Sequence, residues 1–221
     1  MKLAWWKMLA IFLAAFAIIG GFLIKVPALP ILHETIRNLY FHVTMWFSMI
    51  ILLLFSLIAS IKTLSGKQPH QDIVAAELAK VGTFMGILGV LTGSLWARFT
   101  WGDWWVSDAK LNGAAITLLF YFAYLILRAS IEDPEKKARI AAVYNIFAYV
   151  MLIVFLMVLP RMTDSLHPGN GGNPGFGGYD LDNTMKIVFY PAILGWTLLG
   201  AWLANLGIRY QKLKNEMEQS F

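Results

Sequence analysis

Six long apolar runs, separated by short polar segments, organise the chain: about Trp5 to Ile24, Leu39 to Ile61, Leu78 to Ala97, Asn112 to Leu127, Ile140 to Leu159 and Met185 to Leu206. Each holds about 16 to 23 residues, and roughly 20 apolar residues make a helix that crosses the hydrocarbon core of a bilayer. The pattern predicts an all-α integral membrane protein of six transmembrane helices. Lys2 and Lys7 flank the start of the first run, as in a secretory leader. It is long for a leader, however, and Pro27 to His33 offers no small-residue cleavage site, so a retained helix is expected. Glu132-Asp-Pro-Glu135 reads as a break followed by a helix start. The whole chain, 1–221, is expected to form one six-helix membrane domain.

Composition excludes a soluble core. Of 221 residues, 58% are hydrophobic and only 14% are charged, against roughly 25% charged in soluble domains. There is no cysteine, which removes disulfides, thiolate metal sites and thiol chemistry.

The distribution of charge sets an expected orientation. Twelve Lys and Arg fall in the N-terminus, the second and fourth connections and the C-terminal tail, and six fall in the other three connections. Positive charge marks the cytoplasmic side. Both termini are therefore expected in the cytoplasm, with outer loops at about 25–37, 98–111 and 160–184. The net charge of +5 sits beside helix ends, where orientation signals belong, so nucleic acid is not an expected partner.

The outer loops carry the unusual residues. Trp96, Trp101, Trp104 and Trp105 fall within ten residues and are interleaved with Asp103 and Asp108. Interfacial Trp belts account for one or two such residues. A dense Trp and Asp surface also suits a planar macrocycle, with indole N–H groups as donors. Arg37, Arg98, Lys110 and Arg161 lie near the same level and suit either carboxylates or lipid headgroups.

Of the four histidines, His70 belongs to a basic inner loop and His33 to the first outer one. His42 lies just inside the outer end of the second run, where an ionisable side chain needs a partner. Helical spacing places Met45, Trp46 and Met49 on its face. His167 lies in a loop rich in glycine. Each has a plain structural reading, as a hydrogen-bonded or solvated residue. As a pair they have another: one imidazole on a helix and one on a loop can meet an iron from opposite faces of a haem. Gly86, Gly89 and Gly93 permit close helix packing. Tyr121, Tyr124 and Asn145 are expected to form interhelical hydrogen bonds.

Trp101-Gly-Asp-Trp-Trp-Val-Ser-Asp-Ala-Lys-Leu111 resembles the tryptophan-rich segment, close to W-G-x-x-W-x-W-D, of the CcmC, CcmF and CcsA-type haem-handling proteins. Trp101, Gly102, Trp105 and Asp108 match it. Ser107 stands where tryptophan is usual, and Trp104 is an additional indole. Arg37-Asn-Leu-Tyr-Phe-His-Val43 resembles the family's first histidine segment, with Thr44 in place of proline. Ser165-Leu-His167 resembles the second. The length and six-span layout resemble the CcmC branch.

The resemblance implies a multi-pass protein of the bacterial inner membrane that binds haem b at the outer face. It implies transfer of that haem to a CcmE-like chaperone during cytochrome c maturation, beside the ABC-transporter proteins CcmA and CcmB and a CcmD-like small membrane protein. His42 and His167 would be the axial ligands, and Trp101, Gly102, Trp104, Trp105 and Asp108 the platform. Catalysis of its own is not expected. The Gly169 to Gly178 stretch is expected to order when haem binds. Two other classes remain: a redox anchor exchanging electrons with quinol, and a haem transporter. Neither gains support from a deep histidine or from polar residues in a broken mid-membrane helix.

Overall fold

The computed structural model describes residues 4–29, 32–66, 70–167 and 181–219. The glycine-rich stretch Gly169 to Gly178 lies outside the described residues. Among those described, six helices are long and apolar enough to cross a membrane. We number them α1 (Trp5–Leu23), α2 (His42–Leu64), α3 (Gln71–Trp101), α4 (Ala109–Ser130), α5 (Pro134–Leu152) and α6 (Asn183–Gln219). Helix α5 continues through a π-helical stretch, Ile153–Val158, into a last α turn, Leu159–Met162.

Most helices outrun the apolar runs that announced them, because Ala, Glu, Lys and Gln at their polar ends are strong helix formers. The start of α2 is the exception. Helix was expected from Leu39, whereas His33–Tyr40 is a 3-10 helix and the α-helix begins at His42. Three side chains hold the tighter segment in place. Arg37 pairs with Glu34 at 2.6 Å and donates to the carbonyls of Gly21 and Ile24 at the end of α1. Asn38 donates to the Thr92 carbonyl at 2.8 Å. Thr35 accepts from the Trp96 indole at 3.1 Å.

Helices α2 and α3 form the centre, zipped by glycine. Gly82, Gly86, Gly89 and Gly93 recur at helical spacing along one face of α3. A Cβ on each would strike, in turn, Leu53, Met49, Trp46 and His42 of the antiparallel α2. Each glycine thus receives one larger side chain, and His42 is the last rung. Small residues allow this approach where lipid supplies no hydrophobic drive between helices. Helix α1 meets α6 through Ala10, Ala14, Ala17 and Gly20; a Cβ at Gly195 would lie 2.9 Å from the backbone of Leu13 and Ala14.

Polar groups tie the remaining helices. Asn145 of α5 donates to Ser56 and Ser60 of α2 at 2.7 and 2.8 Å, and Ser56 donates to the Ala75 carbonyl of α3 at 2.6 Å. The interhelical role expected of Asn145 is thus observed. Tyr121 and Tyr124 are buried too, but the Tyr121 hydroxyl has no hydrogen-bond partner among the described residues. Arg128 and Asp72 join α4 to α3 near the end of the bundle that carries the termini. The start of α5 has the expected form: Pro134 opens the helix and Asp133 caps it, accepting from the Lys136 N–H at 2.7 Å.

Candidate functional site

The end of the bundle opposite the termini gathers the start of α2, the ends of α3 and α5, and the starts of α4 and α6. His42 and His167 both lie there. His70 lies at the other end, beside the start of α3, and His33 is exposed.

His42 is seated against the glycine face of α3. A Cβ at Gly93 would lie 2.5 Å from its Cε1, so this position leaves room for the ring only as glycine. Its Nδ1 bonds the Gly89 carbonyl at 2.8 Å. A carbonyl only accepts, so Nδ1 carries the proton and Nε2 of the neutral ring keeps its lone pair. Trp46 and Trp96 meet the ring edge-on, with centroids at 6.4 and 5.9 Å. Trp46 and Met49 share the His42 face as expected, each packed on the next glycine of α3, and Met45 and Met49 are buried in the core, 6% and 0% exposed.

His167 is held by Asp108, 59 residues away in sequence. Asp108 is the N-cap of α4, accepting from the Lys110 N–H at 2.9 Å and the Leu111 N–H at 3.4 Å. The same carboxylate accepts from the Leu166 N–H at 2.7 Å, the Ser165 hydroxyl at 3.1 Å and His167 Nδ1 at 3.0 Å. Burial alone would raise the Asp108 pKa. The Leu166 N–H, the Ser165 hydroxyl and the neighbouring imidazole outweigh it, and the carboxyl is held below its usual range. Burial pushes the His167 imidazole below its usual value, against the pull of Asp108. At neutral pH the pair is therefore a carboxylate and a neutral imidazole. Nδ1 again donates, and Nε2 again keeps its lone pair.

The Asp108 side chain is 1% exposed and that of His167 is 23% exposed, so the carboxylate is closed off while the ring keeps an open edge. Trp101 meets that ring at 4.9 Å between centroids. Trp96 and Trp101, both on α3, are separated by about 7.5 Å of helical rise. Trp96 packs on His42 and Trp101 on His167, so the end of one helix lines both rings. Among the described residues neither Nε2 has a hydrogen-bond partner, and no cluster of three or more His, Cys, Asp or Glu forms a metal site. Two imidazoles with bare Nε2 atoms and aromatic walls fit a haem; they do not make a closed site for a bare ion.

The other expected residues fall into place around this pair. Gly102 ends α3 with φ of +89°, a left-handed conformation natural to glycine. Trp104 and Trp105 lie on the surface, 59% and 41% exposed, and the Trp105 indole donates to Asn112 at 3.3 Å. Arg37 is committed to Glu34 and the end of α1. Arg98 and Arg161 are exposed and donate to the carbonyls of Gly102 and Met157. Lys110, in the first turn of α4, carries a positive charge near His167. Sequence reasoning assigned Gly89 and Gly93 to packing alone and gave Ser165 no role; the glycine repeat was visible, but its partner on α2 was not.

The whole chain, residues 1–221, matches the family model described as CcmC, heme exporter protein C. Among its relatives, the heme exporter protein C of Bradyrhizobium diazoefficiens is 30% identical over 184 residues, covering 83% of this chain and 69% of that one. That of Paracoccus denitrificans is 24% identical over 185 residues, covering 84% and 74%. That of Escherichia coli K12 is 25% identical over 138 residues, covering 62% and 54%.

Proposed function

The chain belongs to the heme exporter protein C family, and from that premise we propose that this multi-pass membrane protein binds haem between His42 and His167 and presents it for cytochrome c maturation. The observation that carries the reading is the matched state of the two imidazoles. Each spends Nδ1 on a protein acceptor and, among the described residues, leaves Nε2 unbonded, at one end of the bundle. A histidine that binds a metal through one nitrogen ordinarily donates the other N–H to a carbonyl or carboxylate.

The rest of the site would act by position. Trp46, Trp96 and Trp101 supply apolar walls, and Lys110 supplies a positive charge for propionate. Trp104 and Trp105 extend the platform as exposed indoles on the side a partner would approach, while Asp108 holds His167 from behind. With the iron fixed from both faces, a haem edge would be left for a CcmE-like chaperone that brings the reacting side chain. Such a role lowers the barrier by orientation and not by a catalyst in this chain. The family context makes CcmA, CcmB and a CcmD-like protein the expected neighbours, and haem b the expected form. The basic ends support a site at the outer face, and the family context a location in the bacterial inner membrane.

The test is the absorption spectrum of the detergent-purified protein beside His42→Ala and His167→Ala. A low-spin bis-histidine spectrum is expected in the wild type and is expected to collapse in both variants. A wild-type protein that takes up no added haem would overturn the proposal.

A further inference from the structure

The two proposed ligands rest on unlike acceptors. His42 donates to the Gly89 carbonyl, a neutral group that also accepts from the Thr92 hydroxyl at 3.1 Å. His167 donates to Asp108, an anion. Asp108 is secured independently of the imidazole. It sits at the N-terminus of α4, where exposed backbone N–H groups and the helix dipole favour negative charge. The Ser165 hydroxyl and the Leu166 N–H close on it from the other side and fix the chain segment that carries the ring. With these donors in place, Asp108 holds its charge without taking the imidazole proton.

We infer that Asp108 is a positioning residue that makes His167 the stronger of two unequal axial ligands and leaves His42 the exchangeable one; the inference rests on the haem site proposed above. The physical cause is charge. An imidazole whose N–H points at a carboxylate gains electron density at its other nitrogen and becomes a better donor to iron. It stabilises the ferric over the ferrous state, because second-shell hydrogen bonding is one of the protein's levers on haem potential. A backbone carbonyl does the same more weakly. The exchangeable face would then be the one seated on the rigid α2–α3 glycine ladder, while the face tied to α4 and the 165–167 segment would hold the iron as the other bond opens.

Asp108→Asn separates charge from shape. Asparagine caps helices as well as aspartate does, and its one carbonyl oxygen, set where Oδ1 stands, can still accept from His167 and Ser165, while its amide nitrogen replaces the acceptor of the Leu166 N–H. The experiment titrates haem into detergent-purified wild type, His42→Gly and His167→Gly, each also carrying Asp108→Asn. Reduction potentials are recorded wherever haem is retained. With Asp108 intact, His42→Gly is expected to keep haem about 10–100-fold more tightly than His167→Gly, the range by which outer-shell partners alter metal affinity. With Asp108→Asn that difference is expected to vanish, and the potential of the otherwise wild-type protein to rise. Equal affinities of the two glycine variants, a difference that persists in Asp108→Asn, or an unchanged potential would each overturn the inference while the haem site stands. A wild-type protein that binds no haem would overturn both.

Discussion

A methyl group is enough to contest the seat of His42. At Gly93 the added Cβ would lie 2.5 Å from Cε1 and 2.9 Å from Nδ1 of the ring. The ring can swing aside, so the fold should survive at a cost of about 1–3 kcal/mol. The bond to the Gly89 carbonyl should not. Gly93→Ala is therefore expected to lose the low-spin bis-histidine spectrum while remaining folded. Gly86→Ala is the control, because its Cβ meets the flexible Met49 thioether at 2.6 Å, two turns from the histidine. Indistinguishable haem spectra in the two variants would refute the seat. At this scale the sequence disclosed the candidates but not their partners. His42 and His167 stood out as ionisable groups at the outer level. What completes each of them is remote: Gly89 is 47 residues from His42, and Asp108 is 59 from His167. Neither pairing has a periodicity to read. In the sequence Asp108 is only the last letter of a tryptophan-rich motif, whereas its position follows from capping α4 and gathering the 165–167 segment.

The elements were legible wherever apolarity alone decided them. Six runs gave six helices, and Asp133-Pro134 marked a start because a proline and a capping carboxylate act locally. The beginning of α2 was not legible, because the 3-10 segment before it is held by contacts with α1 and α3. The π-helical stretch was hidden for a similar reason. A Cβ at Gly113 of α4 would run into the Phe155 carbonyl, so the two backbones touch where α5 changes its winding. No side chain can rotate out of that contact. Gly113→Ala is therefore expected to lower the melting temperature in detergent more than Gly82→Ala, whose Cβ comes closest to the Leu53 side chain, at 2.7 Å. An equal or smaller effect at Gly113 would show that the junction gives way freely. The polar tie between α5 and α2 should be weaker than its buried setting suggests. Asn145→Ala breaks two hydrogen bonds, yet such bonds within membrane bundles average about 0.6 kcal/mol. A destabilisation of about 1 kcal/mol is expected from reversible unfolding; several times that would mean that the serines left behind find no other partners.

For the molecule as a whole, orientation decides which compartment the histidine pair serves. An even number of crossings puts both termini on one side, and twelve of the eighteen Lys and Arg fall at that end. The bias predicts termini in the cytoplasm and the Trp-rich end outside. The chain contains no cysteine, so single cysteines report on sidedness without background. Ser107, between α3 and α4, and Ser130, at the far end of α4, are both exposed and lie at opposite ends of the bundle. In spheroplasts, Ser107→Cys should react with a membrane-impermeant maleimide, and Ser130→Cys should react only after the membrane is opened. The reverse pattern would place both histidines and the exposed Trp104 and Trp105 on the cytoplasmic side. The same chemistry would then receive haem where it is made, and a chaperone on the outer face could not reach it. The ligand geometry would be untouched by that result and the direction of handover would be inverted, so sidedness has to be established for the presentation reading independently of haem binding.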